Sequence, residues 1–191
     1  MITEAELNYK KYRSDMKTGD VLMFKGTGFL SWLIKTKTKS VYSHAGVVAW
    51  WGNRLMVLEA IGSGIVARPI SYVLTKYEGG FDYFRPKKVM SDDEKKTMLD
   101  YAQRQLGKKY ASIRLLKYFF IVMLNLKMKP SELNDAPGIS GKYFCSHYVA
   151  AIYNAVGVDL QVGMSDKYTT PDQIANSEEL SFIGTLKSFN E

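Results

Sequence analysis

The sequence is poor in the side chains that staple or metallate a protein. Its 191 residues include one cysteine, Cys145, and two histidines, His44 and His147. A lone cysteine excludes an internal disulfide, and one cysteine with two histidines does not match a zinc-ligand pattern. No metal or cofactor is therefore expected. A single thiol also fits a reducing compartment, because secreted disulfide scaffolds need pairs. The start, Met1-Ile2-Thr3-Glu4-Ala5-Glu6, carries early acids where a signal peptide needs an apolar core, so a cytoplasmic protein is expected. The apolar run Tyr118–Leu124 has seven residues, against the roughly 20 that a bilayer-spanning helix needs. No repeat, low-complexity tract or linker interrupts the chain.

Hydrophobic content of 46% and charged content of 24% are ordinary for a globular protein. The length suits one domain with a real core. Thirteen tyrosines, nine phenylalanines and three tryptophans make an aromatic share of 13%, enough to line a cleft with rings. Net charge is +7 and the pI about 9.3, which favours an acidic contact such as phospholipid headgroups, nucleic acid or an anionic polymer. Lys35, Lys37 and Lys39 form the densest early basic patch, which a solvated loop would also explain. Lysines likewise bracket Tyr118–Leu124. Residues 114–129 therefore read either as a buried helix or strand, or as a contact with a lipid surface.

Read in order, residues 1–17 predict an amphipathic helix, followed by a turn at Thr18-Gly19-Asp20. Val21–Phe24 is a short strand-type run, and Phe29–Ile34 fits a helical turn. Strands follow at Ser43–Trp50 and Arg54–Ala60, joined by the turn chemistry of Trp51-Gly52-Asn53. Two more are expected at Gly64–Pro69 and Gly80–Arg85. Ser91-Asp92-Asp93-Glu94 is a capping box for a helix running to Leu106 and stopped by Gly107. Another helix should begin near Cys145 and run to Gly157. A short one should start at Thr170-Pro171, with threonine as cap and proline in the first turn. Strands first and helices later argue for an α+β fold.

Cys145 has two readings, an inert buried thiol or a nucleophile. A nucleophile needs a lowered thiol pKa, a base within reach and a group that orients the base. Cys145 lies where a helix N-terminus is expected, whose free amides favour a thiolate and could receive an oxyanion. His147 is two residues away, which on a helix turns it to the opposite face, as a partly exposed side chain. His44, in a strand, is then the base. Glu59 is the orienter: if Trp51-Gly52 form the hairpin loop it lies directly opposite His44, and if Gly52-Asn53 do, it is a diagonal neighbour. Either register puts both side chains on one face. A carboxylate in the apolar strand Leu55–Ala60 also calls for a partner, unless it sits at a wet strand end.

Ser43-His44-Ala45-Gly46, Leu58-Glu59-Ala60 and Phe144-Cys145-Ser146 resemble the circularly permuted papain-like amidases, the YaeF/YiiX-like branch of the NlpC superfamily. The order histidine, glutamate, cysteine is the permuted order. Gly19-Asp20-Val21 is similar to that family's opening strand, Gly107-Lys108-Lys109-Tyr110 to its glycine-to-tyrosine motif, and Thr170-Pro171-Asp172-Gln173 to a late helix start. The resemblance spans roughly residues 18–177. It implies a small antiparallel β-sheet or barrel packed against the cysteine-bearing helix, within one catalytic domain over 1–191. It also implies a Cys145–His44–Glu59 triad, with Tyr110 positioning substrate or stabilising the oxyanion. Ser43 and Ser146, which flank the pair, complete the substrate and oxyanion candidates. The long separation of Tyr110 from Cys145 departs from ordinary NlpC enzymes and marks 111–142 as an inserted lid or specificity segment.

These readings lead to a cysteine amidase or peptidase acting on a peptidoglycan-type or other small peptide through a thioester, without specific nucleic acid contact. Two alternatives compete with it. One is a lipid acyl hydrolase or acyltransferase using the same triad, as in related lecithin:retinol acyltransferase-like enzymes. The other is a non-enzymatic basic module that binds membrane or nucleic acid.

Overall fold

The computed structural model describes residues 3–109, 144–163, 166 and 169–189. Tyr110, the 111–142 segment and the apolar run within 114–129 lie outside the described residues. The elements are α1 (Glu4–Arg13), β1 (Val21–Phe24), α2 (Phe29–Thr38), β2 (His44–Trp51), β3 (Arg54–Ile61), β4 (Gly64–Pro69), α3 (Ile70–Lys76), β5 (Phe81–Pro86), α4 (Asp92–Gln105), α5 (Cys145–Asn154), α6 (Pro171–Ala175) and β6 (Leu180–Leu186). The architecture is α+β. The strands form one antiparallel sheet in the order β4-β3-β2-β1-β5-β6.

β1 is central and apolar at all four positions because both its faces are covered. Val21 and Met23 join a core with Tyr148, Val149 and Ile152 of α5 and Met98 and Ala102 of α4. Leu22 and Phe24 point the other way, into a core with Ile70, Val73 and Leu74 of α3. That alternation follows from the two-residue period of a strand. The sheet is thus the middle layer between α4 and α5 on one face and α3 on the other.

Local chemistry starts several helices. Thr3 with Glu6, Ser91 with Glu94 and Thr170 with Gln173 each make both bonds of a capping box. Helix α5 differs, since its N-cap Phe144 offers no side-chain hydrogen bond. Its position is fixed instead by hydroxyls on buried side chains. Tyr148 donates to the Ala102 carbonyl at 2.9 Å, Tyr153 donates to the Gly19 carbonyl, and Ser146 donates to the Thr169 carbonyl.

Two elements were not anticipated. Helix α3 follows β4 directly and has no side-chain cap, so no start signal marks it. Edge strand β6 pairs with β5 across a register irregularity at Tyr83/Phe84, and Gly184 weakens its strand pattern.

Candidate active site

The β2–β3 hairpin pairs Trp51 with Arg54, Trp50 with Leu55 and Val47 with Leu58. Of the two registers weighed from sequence, this is the one with Gly52-Asn53 in the loop. Continued along the strands, it sets Gly46 against Glu59 and makes His44 the diagonal neighbour of Glu59. The two side chains share a face, and His44 Nε2 lies 2.7 Å from Glu59 Oε2. Glycine is required at position 46. A Cβ there would come within 2.5 Å of Val57 Cγ2, 3.1 Å of the Leu58 carbonyl oxygen and 3.2 Å of Glu59 Cβ.

Glu59 is fully buried, in a site that desolvates its carboxylate. Burial opposes its charge, but hydrogen bonds and ion pairs with His44 and Arg68 outweigh it and hold the carboxyl below its ordinary range. Arg68 brings both Nε and Nη2 to within 2.7 Å of Glu59 Oε1. Sequence reasoning missed Arg68, yet the signal was present. Strand β4 pairs Glu59 with Val66, which sets Arg68 one diagonal step away on the same face.

Helix α5 packs on the opposite face of the sheet from Glu59, but its first residue, Cys145, reaches the end of β2 where His44 lies. Cys145 is buried, at 7% exposure, and hydrogen-bonded to His44. Burial pushes the thiol up, but the His44 imidazolium and the Ala45 and Ser146 backbone N–H groups overcome this and bring it below the ordinary range. The missing side-chain cap on α5 matters here, because it leaves the Ser146 amide free to face sulfur. For His44, burial alone would depress the pKa. The Cys145 thiolate and the Glu59 carboxylate raise it to about 10. The two shifts share one origin, the mutual interaction of the Cys145 thiol with the His44 ring.

Both serines named as substrate or oxyanion candidates are buried and hydrogen-bonded to backbone. Ser146 donates its hydroxyl to the Thr169 carbonyl, and its backbone N–H is hydrogen-bonded to Cys145. Ser43 is buried and donates to the Phe24 carbonyl at 3.4 Å. His147 is buried at 8% exposure, not partly exposed, because the second residue of α5 after Cys145 still lies under neighbouring structure. Tyr77 was not foreseen. Burial raises its pKa, and its hydroxyl is hydrogen-bonded with Ser43 and Ser31, close enough to Cys145 and Glu59 to feel their charge. Phe24 holds the other side of the imidazole in an edge-on contact, with ring centres 4.6 Å apart.

Replacing Arg68 by glutamine should cost about 1–3 kcal/mol, since it strips a charged hydrogen bond from a buried carboxylate. The lowered carboxyl of Glu59 contributes stability that is present above its unfolded pKa and lost as pH falls through the folded value. Without Arg68 that folded value rises. Acid unfolding, followed by circular dichroism, should then begin at higher pH than in the parent. An unchanged acid midpoint would remove Arg68 from the site.

No family model and no curated protein matches the chain. Among solved structures, that of metalloprotein yiiX from Escherichia coli O157:H7 is similar, with a TM-score of 0.67 over 88% of this chain and 96% of that one. Sequence identity is 18%, so the likeness concerns the fold. The residues gathered here do not fit a metal. Cys145, His44 and Glu59 bond to one another in a row, and the second oxygen of Glu59 faces the Arg68 cation. No group of three or more His, Cys, Asp or Glu side chains suited to a metal ion occurs among the described residues. No helix among them is long and apolar enough to cross a membrane.

Proposed function

We propose that the protein is a cysteine hydrolase of the permuted papain-like type that cleaves an amide bond in a small peptide. The observation that carries this reading is the row Cys145–His44–Glu59, in which His44 meets both Glu59 and Cys145, its pKa raised to about 10 and that of the thiol lowered. The thiolate attacks the acyl carbon, and the carbonyl electron pair moves to oxygen to form an oxyanion. The backbone amides that open α5 are the nearest donors for that charge. As the intermediate collapses, His44 gives its proton to the departing amine and a thioester forms on Cys145. Neutral His44 then takes a proton from water, whose oxygen attacks the thioester. The acid leaves and the ion pair is restored. Glu59 keeps the imidazole in one orientation throughout, and Arg68 keeps Glu59 charged. Tyr110 and the 111–142 segment stand in this reading as the oxyanion partner and the substrate-selecting insertion.

A second reading retains the row and changes the acyl donor to a phospholipid. It is favoured by the exposed aromatic rings of α2, the helix that leads into the His44 strand.

The test offers purified protein peptide amides, peptidoglycan-type peptides and phospholipid vesicles, and reads amine and fatty-acid release. Amine release with a thioester adduct on Cys145 in the mass spectrum is expected. Fatty-acid release alone would select the second reading. If Cys145 alkylates only after unfolding, and Cys145→Ala leaves all turnover intact, both readings fail.

A further inference from the structure

Helix α2 carries a face that the described residues leave exposed. Phe29 and Trp32 are 78% and 55% exposed, and one turn apart their rings stack with centres 5.9 Å apart. Thr36 and Lys39, also exposed, continue the same stripe toward the C-terminus, and Lys35 borders it. Val41, in the segment that follows, is 58% exposed. The opposite side of the helix faces inward, where Ser31 meets the Tyr77 hydroxyl. Apolar rings therefore occupy the outer side of the first turn and cations the last.

Lys39 ends the helix at φ 52°, and it is the one non-glycine with positive φ among the described residues. Glycine is the usual residue at such a helix end, since it meets no side-chain clash there. A lysine in that place keeps a charge at the rim of the aromatic face.

We propose that this face of α2 docks the protein onto an anionic lipid bilayer, with Phe29 and Trp32 in the headgroup boundary and Lys35 and Lys39 on acidic headgroups. Aromatic rings flanked by cations on one side of a short helix suit that boundary, where rings lose water and ammonium groups keep it. The net charge of +7 is complementary to such a surface. A single-stranded nucleic acid fits less well, since base stacking needs open ring faces and these two rings stack on each other. Ser31 and Ser43 share the Tyr77 hydroxyl, so the docked helix is tied directly to the strand that carries His44. Docking does not require the row to be catalytic, and it would hold for either acyl donor.

Cosedimentation with phosphatidylcholine vesicles, with and without phosphatidylserine, tests the proposal on full-length wild type and on Cys145→Ala, which binds equally if docking is independent of turnover. Binding is expected to phosphatidylserine-containing vesicles and to weaken with salt. Lys35→Gln/Lys39→Gln should lose about 30-fold in affinity, and Phe29→Ala/Trp32→Ala at least as much. Trp32 emission should shift to the blue on binding, and Trp32→Phe should abolish that shift while binding persists. Native alkylation rates of Cys145 check that the α2 variants are folded, and circular dichroism checks Cys145→Ala. Vesicle binding untouched by both double variants overturns the proposal. So does the absence of vesicle binding, or capture of a single-stranded oligonucleotide that these variants abolish while vesicles remain unbound.

Discussion

Replacing His44 by alanine should slow iodoacetamide alkylation of native Cys145 by about 10²-fold at pH 6 and remove turnover by about 10²–10⁴-fold. An ordinary thiol, with pKa about 8.5, is less than about 1% thiolate at that pH. In the parent the interaction with His44 holds Cys145 below this range, so a larger share of it reacts as thiolate. Loss of the imidazolium leaves burial as the dominant influence, which pushes the thiol up. Part of the loss is recovered because a more basic thiolate is a better nucleophile. The pH profiles separate the two proteins more sharply than any single rate. The parent should show a plateau through neutral pH, with an acid limb well below the ordinary thiol range. A catalytic limb should fall near pH 10, where His44 gives up the proton the leaving group needs. The variant should gain about tenfold in alkylation per pH unit across the same interval. A parent profile with that same slope through neutrality would mean there is no ion pair.

Gly46→Ala is the second large effect. The added methyl would press into Val57 Cγ2 at 2.5 Å, and Val57 is fully buried and β-branched, so it cannot turn aside. Overpacking of this kind costs about 1–3 kcal/mol, or a melting temperature lower by several degrees in a protein of this size. The clash also reaches Glu59 Cβ at 3.2 Å and would move the carboxylate that orients His44. A displacement near 1 Å can cost about 10²-fold in rate. Gly62→Ala is the control, because nothing lies within 4 Å of its added Cβ and no positive φ is needed there. It should leave both rate and melting temperature within error. Equal effects at the two glycines would mean that close approach of β2 and β3 has no bearing on the site.

Much of the framework was written locally enough to read. The bounds of Val21–Phe24 and Gly64–Pro69 agree with expectation, and the β2–β3 hairpin agrees within one residue at each end. Alternation and turn residues act over short distances, and so do the capping boxes of α4 and α6. The partnership of His44 with Glu59 needed only strand parity, which holds in either hairpin register. What could not be read depends on distant chain segments. His147 is buried by tertiary packing that no local spacing reports. Tyr77 lies after an uncapped helix, and its partners Ser31 and Ser43 are brought to it by the sheet and α2. Arg68 was within reach of the same parity argument, one diagonal step from Glu59 on β4.

The order of the sheet has a consequence for how the thiol comes into being. His44, Glu59 and Arg68 all lie on strands β2 to β4, which pair consecutively by short hairpins. During synthesis this three-residue cluster can assemble while Cys145 is still untranslated, because chains emerge from their N-terminal end and local pairings form first. The cysteine arrives late and remains an ordinary thiol until α5 settles on the sheet. That docking is secured by Tyr153 on the Gly19 carbonyl and Tyr148 on the Ala102 carbonyl. A truncated or stalled nascent chain therefore carries His44, Glu59 and Arg68 without Cys145, and the lowered pKa of Cys145 belongs to the finished fold.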